Sequence, residues 1–315
     1  LTGETSVCRL STLDKGVSMS ELKGLLAAVV TPFTAGGDSF DEAKYRAHIG
    51  RLISEGVHGI VPGGSTGEFA MQTHDERRYL AEVSIDAAKG TGVKVVPNVG
   101  AMTTAEAIKL AKHAESIGAD GVMAVASYYE PLDLKETKNF FKAVADSISI
   151  PVIVYNLPVA TGLNLTPTDL VDIARSAPNA RYVKDTSGSY SQAAELIRNH
   201  GDEVGVFVGW DTFYFATLAE GALGSVHDGP NIVATQMVQI YNLIQEGKVT
   251  DAKEVWKEIY PLMLFLTQGG YVTGVKGALD LLGRSMGDPR HPIEALEGAR
   301  KSELKEILAK IKFAK

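Results

Sequence analysis

Residues 181–210 read RYVKDTSGSYSQAAELIRNHGDEVGVFVGW. A short run of strand-forming residues, Arg181 to Lys184, ends at a Ser-Gly turn, and a segment of helical periodicity, Ser189 to His200, follows it. Gly201 stops that helix, and Val204 to Val208 opens a second apolar run. This is one βα unit and the strand of the next. Working outward in both directions, the same rhythm returns about every 25 to 30 residues. The predicted strands are Leu25 to Val30, His58 to Pro62, Lys94 to Asn98, Gly121 to Val125, Pro151 to Tyr155, Arg181 to Lys184, Val204 to Val208 and Leu223 to Val226. Amphipathic stretches lie between them, several opened by a capping residue such as Thr103 or Thr166 and several closed by a glycine such as Gly118 or Gly221.

Strand and helix alternating eight times, with runs apolar enough to be buried on both faces, predict an α/β fold of the (β/α)8 TIM-barrel type over residues 21–246. The competing architecture is an open doubly wound sheet. Its dinucleotide fingerprint should follow the first strand, where the chain reads VTPFTAGGDSF. Beyond about Glu246 no strand signal remains. Asp251 to Gln268, Val272 to Leu282 and Ile293 to Lys312 each read as helix, so residues 247–315 are expected to form a small C-terminal helical domain. Residues 1–20 are expected to be a disordered extension. The first eighteen, LTGETSVCRLSTLDKGVS, are polar and lack the apolar core of a secretion signal, and Met19 follows as a candidate start.

Composition narrows the function classes. Of 315 residues 45% are apolar and 22% charged, and the net charge of −7, with no run of Lys or Arg, disfavours a nucleic-acid partner. The longest apolar stretches fall far short of the ~20 residues a membrane helix needs. Cys8 is the single cysteine, which excludes an internal disulfide and a Cys-based zinc site and suits a reducing cytoplasm. The expected protein is soluble and cytoplasmic.

In a barrel of this kind the chemistry sits at the carboxyl ends of the strands. There the sequence places GGSTGE (63–68), Asn98, Ser127 to Tyr129, Tyr155 and Asn156, Lys184, Gly209 to Asp211, and His227 with Asp228. Strand alternation puts Tyr182 and Lys184 on one face and Val183 and Asp185 on the other, so the lysine can point inward. An amine held in such a mouth loses hydration, which depresses its pKa and frees it to attack a carbonyl. The alternative is a rim lysine paired with Asp185. Tyr155, at the same end of the adjacent strand, is positioned as a proton shuttle, or else simply fills the barrel. Ser65 and Thr66 offer hydroxyls and backbone N–H groups to a carboxylate or oxyanion, although a tight turn explains the same residues. The histidines show no metalloenzyme spacing. Most read as solvated or core residues, with His227 and Asp228 set apart by their substrate-facing position.

The motifs VTPF, GGSTGEF, YYEP, YNLPVATG and YVKDTSG, in that order, make the chain resemble the dihydrodipicolinate synthase and N-acetylneuraminate lyase superfamily of class I aldolases. The resemblance implies that Lys184 forms an imine with pyruvate or a related 2-oxo acid, with Tyr155 as general acid and base. Ser65 would link Tyr155 to a tyrosine lent by a neighbouring subunit, Tyr129. Thr66, with Gly64 and nearby backbone N–H groups, would hold the 2-oxo acid carboxylate, and the backbone of Val226 would line the same pocket. Thr186, Gly209, Asp211, His227 and Asp228 complete the implied substrate-binding set. No metal and no bound cofactor is implied, because the iminium itself is the electron sink. The implied assembly is a homotetramer built as a dimer of dimers.

Two departures bear on the substrate. The synthase branch carries an arginine in its YN-P motif for a second carboxylate, whereas this chain has Val159 and Ala160. The sialate lyase branch fits at GGSTGE, Thr186 and Asp211, but Thr212, His227 and Asp228 differ from its sugar-contacting residues. The leading expectation is a lyase or aldolase resembling N-acetylneuraminate lyase or a 2-keto-3-deoxy acid aldolase. The alternatives are 4-hydroxy-tetrahydrodipicolinate synthase, a dehydratase or deaminase of the superfamily, and a non-catalytic barrel that binds a small acid.

Overall fold

A computed structural model describes residues 21–313. The extension expected over residues 1–20, with Cys8, lies outside the described residues. The eight strands are β1 (Gly24–Ala28), β2 (Gly59–Val61), β3 (Lys94–Val95), β4 (Val122–Val125), β5 (Val152–Asn156), β6 (Tyr182–Asp185), β7 (Gly205–Val208) and β8 (Gly224–His227). All eight predicted strands are present and all pair in parallel, in the order β3-β2-β1-β8-β7-β6-β5-β4. The sheet curls until its two edge strands meet. Asn98 and Met123 form a parallel bridge there, with the Val99 N–H donating to the Met123 carbonyl at 2.7 Å and the Met123 N–H to the Pro97 carbonyl at 2.9 Å. The β3 ladder is shorter than predicted. Bonding to the β2 side continues past Pro97, from the Val96 N–H to the Ile60 carbonyl and from the Asn98 N–H to the Pro62 carbonyl, both at 3.0 Å, while Pro97 itself has no N–H to offer the other side.

Between and after the strands run α1 (Glu42–Ser54), α2 (His74–Ala88), α3 (Thr104–Ser116), α4 (Leu134–Asp146), α5 (Pro158–Thr161), α6 (Pro167–Ser176), α7 (Tyr190–His200), α8 (Tyr214–Glu220), α9 (Pro230–Gln245), α10 (Val249–Thr267), α11 (Tyr271–Leu281) and α12 (Gly298–Leu308). Their starts follow local chemistry. Thr73, Asp133 and Thr166 each close a reciprocal capping box with an acidic residue three positions on.

Alternation sorts the strand residues into two layers. Leu26, Val61, Val96, Met123, Ile153, Tyr182, Phe207 and Val226 pack together inside the curl. Leu25, Val122, Val154, Val183 and Val206 face outward into a larger cluster with the helices. That cluster also takes in Ile259, Leu262 and Phe265 of α10, Val275 and Leu279 of α11, and Leu304 of α12, so the tail helices share the core of the rest of the chain. The last helix is shorter than the predicted Ile293 to Lys312. The chain just before it is used for docking: the Arg290 N–H donates to Glu68 Oε2 at 2.8 Å and its guanidinium to Glu76. Among the described residues no helix is long and apolar enough to cross a membrane.

Candidate active site

The carboxyl ends of the strands surround a cavity of about 280 Å³, lined from β6 by Lys184 and Thr186, from β5 by Tyr155, from the β2 loop by Ser65 and Thr66, from β7 by Gly209 to Asp211, and from β8 by Val226 to Asp228. A slightly larger groove of about 320 Å³ between α2 and α3 is walled by exposed charged side chains such as Asp75, Arg78 and Lys109, with no residue of the predicted set. The strand-end cavity is therefore the candidate site.

Lys184 and Tyr155 are register partners on adjacent strands, which brings both side chains to one place on the inner face. The Lys184 amine sits 4.0 Å from the centre of the Tyr155 ring, and the residue is 5% exposed. Among the described residues no carboxylate lies within ion-pairing distance of that amine. The rim pair with Asp185 is not formed. Asp185 faces outward, where it accepts hydrogen bonds from Asn156 Nδ2 at 2.9 Å, Ser187 Oγ at 2.9 Å and Gln192 Nε2 at 3.2 Å. Burial still raises its pKa above the ordinary carboxylate value, against the pull of those donors.

Gly209 makes room for the lysine. A Cβ there would lie 2.1 Å from Thr186 Oγ1 and 2.7 Å from Lys184 Cε. Thr186 Oγ1 is itself buried without a hydrogen-bond partner. Gly64, by contrast, is not part of the cavity wall, and a Cβ on it would meet only ordinary contacts, Met123 at 3.8 Å and Val61 at 4.0 Å.

The β7 and β8 ends bring Asp211 and Asp228 together. They are 7% and 6% exposed, and the Oδ1 atom of each is buried without a partner. Burial, and then the neighbouring Asp228 carboxyl, push the Asp211 pKa well above the usual carboxylate range, with the Lys184 amine pulling the other way. The two carboxyls lie within hydrogen-bond reach of each other, which accounts for oxygens that no other group of the described residues meets.

His227 lines the cavity as expected, near enough to Lys184 and the Trp210 backbone for both to act on its ring. It pairs in register with Ala27, an outward-facing residue of β1, so its ring leans from the cavity wall toward the helix side and packs edge-on to Tyr214 at 5.4 Å. Burial holds its pKa down at about 3, so the ring is neutral.

Tyr129 is 84% exposed and outside the cavity of its own chain. A different tyrosine lines that cavity. Tyr271, the first residue of α11, presents its hydroxyl to Ser65 with Tyr155 and Asp228 close by, and burial of that end raises its pKa to about 12 while the rest of the ring stays partly open. The sequence signalled it only as the residue after a Gly-Gly turn. Two further supports were also missed. Glu68, at a left-handed φ of 63° that closes the GGSTGE turn, forms a buried ion pair with Lys276 of α11 at 2.6 Å. Asn231 donates to the Ala28 and Asp228 carbonyls at 2.8 and 2.7 Å and accepts from the Val30 N–H at 3.1 Å, which fixes the loop bearing Asp228. Among the described residues no three His, Cys, Asp or Glu side chains are grouped to hold a metal ion.

Comparison with known proteins places this geometry among relatives. The Dihydrodipicolinate synthetase family profile matches residues 21–311. A 4-hydroxy-tetrahydrodipicolinate synthase of Nitratidesulfovibrio vulgaris is 33% identical over 289 residues, covering 92% of this chain and 98% of the relative. A protein of the same name from Syntrophus aciditrophicus is 34% identical, covering 91% and 97%. Among solved structures, a prophage protein of the dihydrodipicolinic acid synthase family from E. coli K12, in complex with pyruvate, superposes with a TM-score of 0.87 at 30% identity, covering 92% of this chain and 99% of that one.

Proposed function

The chain belongs to the dihydrodipicolinate synthetase family, a family of Schiff-base pyruvate aldolases, and on that premise we propose that Lys184 is the amine that captures pyruvate or a related 2-oxo acid. The observation that carries this is a buried amine without a carboxylate partner, stacked on the Tyr155 ring at the strand ends. In its neutral form the amine adds to the C2 ketone, and loss of water leaves a protonated imine. The iminium acidifies C3. Removal of a C3 proton gives an enamine that attacks an aldehyde, and water then releases the product and restores the lysine. The reverse sequence is C–C cleavage. Tyr155 carries the protons that leave and return. Thr66 with neighbouring backbone N–H groups holds the 2-oxo acid carboxylate, and Val226 and Gly209 shape the wall around it. The chemistry calls for no metal and no separate cofactor, since the lysine imine is the electron sink. The same reading takes the curled sheet as a (β/α)8 barrel closed at the Asn98–Met123 bridge, with residues 247–315 as its helical appendage.

Borohydride added with pyruvate should fix a covalent adduct on Lys184, seen as a mass increase on the peptide that contains it and lost in Lys184→Arg. A wild-type protein that gains no mass would overturn the reading.

A second reading, 4-hydroxy-tetrahydrodipicolinate synthase, is favoured by the names of the relatives. Condensation of pyruvate with aspartate semialdehyde at a rate above that for other aldehydes would establish it. We further place the protein in the cytoplasm as a homotetramer in which Tyr129 of one subunit reaches the Ser65 of another. Light scattering that returns only monomer would remove Tyr129 from the site.

A further inference from the structure

Resting on the imine chemistry above, we propose that Thr186 and the Asp211–Asp228 pair form a proton relay for Lys184. The pair takes the proton that the amine must lose before it can attack a ketone, and returns it to the oxygen that leaves as water. The need for such a route follows from the cavity. The Lys184 amine lies against the face of the Tyr155 ring, 4.0 Å from its centre, whereas the phenol oxygen is at the rim of that ring. A ring face attracts a cation but takes no proton from it. Two other ionisable groups of the lining are poor acceptors. Burial holds the His227 pKa at about 3, so its ring takes up no proton near neutrality. Burial raises the Tyr271 pKa to about 12, so that hydroxyl keeps the proton it has.

Asp211 and Asp228 are different. Their carboxyls are within hydrogen-bond reach of each other, and the Lys184 charge acts on Asp211. A carboxylate only accepts, so the contact requires a proton on one of them, and a pair holding one proton has room for a second. Thr186 supplies the link. Its Oγ1 is buried without a hydrogen-bond partner. It crowds the same point as the lysine stem, since a Cβ on Gly209, two residues before Asp211, would lie 2.1 Å from Thr186 Oγ1 and 2.7 Å from Lys184 Cε. A hydroxyl both donates and accepts, as a link in a proton chain must.

The protons balance over the sequence. The ammonium gives one proton through Thr186 to the pair, which then holds two. The neutral nitrogen forms its bond to C2, the carbonyl electron pair moves to oxygen, and one N–H proton passes to that oxygen. The pair then gives its second proton back to the C2 hydroxyl, the C–O bond breaks, water leaves, and the nitrogen lone pair closes the iminium. The pair ends with one proton, as it began. Because the amine's proton never enters the solvent, imine formation should not depend on pH. An amine that sheds its proton to water instead reacts about tenfold faster for each pH unit gained below its pKa.

Protein and pyruvate are aged for set times at about pH 6, 7 and 8 and quenched into borohydride at one fixed pH, and the Lys184 adduct is counted by mass. We expect a flat profile in wild type. Thr186→Val, which keeps the shape and removes the hydroxyl, should form the adduct at least about tenfold more slowly at pH 6 and speed up with pH. Thr186→Ser should restore the wild-type profile, and the double variant Asp211→Asn, Asp228→Asn should behave like Thr186→Val. Wild-type protein that forms no adduct at any pH would remove the aldolase reading and this inference with it. Adduct formation that climbs about tenfold per pH unit in wild type overturns the relay alone. So does Thr186→Val with the wild-type rate and profile, or Thr186→Ser as slow as Thr186→Val.

Discussion

A methyl group at position 209 is a small change with a defined target. It would have to occupy space 2.1 Å from Thr186 Oγ1 and 2.7 Å from Lys184 Cε. The threonine can rotate, but the lysine stem must move off the Tyr155 ring. Displacement of a reacting atom by about 1 Å costs on the order of 10²-fold in rate, so Gly209→Ala should slow pyruvate trapping by about that factor. The overpacking itself should destabilise by about 1–3 kcal/mol. Trapping kinetics alongside a urea melt will separate the two. Trapping at the wild-type rate would mean that the amine has more room than the distances allow. The second prediction concerns Tyr271. If its hydroxyl relays protons between Ser65 and Tyr155, Tyr271→Phe should lower kcat on the order of tenfold with little change in KM. A larger loss in Tyr129→Phe than in Tyr271→Phe would assign the relay to the neighbouring subunit instead.

At the scale of elements, the β2 loop and α11 are joined by the Glu68–Lys276 ion pair. Both side chains are almost wholly buried, and the Lys276 amine also donates to the Asp288 carbonyl at 3.0 Å. Burial lowers the lysine pKa, and the glutamate opposes that effect. Removing one member leaves a buried charge without compensation, which costs about 3–5 kcal/mol. Lys276→Met should therefore destabilise by that amount in equilibrium denaturation. Lys276→Met combined with Glu68→Gln should lose less than the two single changes added together. Additive losses would show that the pair is not coupled. Because Glu68 closes the turn that carries Ser65 and Thr66, and α11 carries Tyr271, this pair positions both sides of the cavity mouth.

For the molecule as a whole, acid stability depends on buried imidazoles. His48 Nε2 lies 2.9 Å from Asn231 Oδ1, which also accepts from the Val30 N–H, so the ring nitrogen is the donor. Burial and the Arg51 charge hold the His48 pKa at about 3. The unfolded chain takes up a proton near pH 6.5 that the native protein refuses, so stability falls as pH drops from about 6.5 toward 3, by up to about 1.4 kcal/mol per pH unit for each such group. His227 acts in the same direction. The raised carboxyls Asp185 and Asp211 act oppositely, since they bind protons in the native state at pH values where the unfolded chain has lost them. His48→Gln keeps a donor for Asn231 and removes one titrating group. Its stability should decline less steeply than wild type between about pH 6 and 4, by up to about 1.4 kcal/mol per unit. Parallel curves would show that the ring is not held neutral.

Read by itself, the sequence determined the eight strands and which face of each is buried, because a period of two leaves Lys184 and Tyr182 on one side and Asp185 and Val183 on the other whatever the strands later pair with. It also placed Tyr155 beside Lys184 at a shared end, since both close apolar runs in consecutive βα units. Tertiary structure alone decided the rest. Tyr271, Lys276 and Arg290 lie far along the chain from the loops they meet, and no local periodicity encodes contacts between a tail helix and the β2 turn. The lean of His227 toward the helix side and the pairing of Asp211 with Asp228 depend on strand register and loop path, which are set by how the sheet curls rather than by the residues nearby.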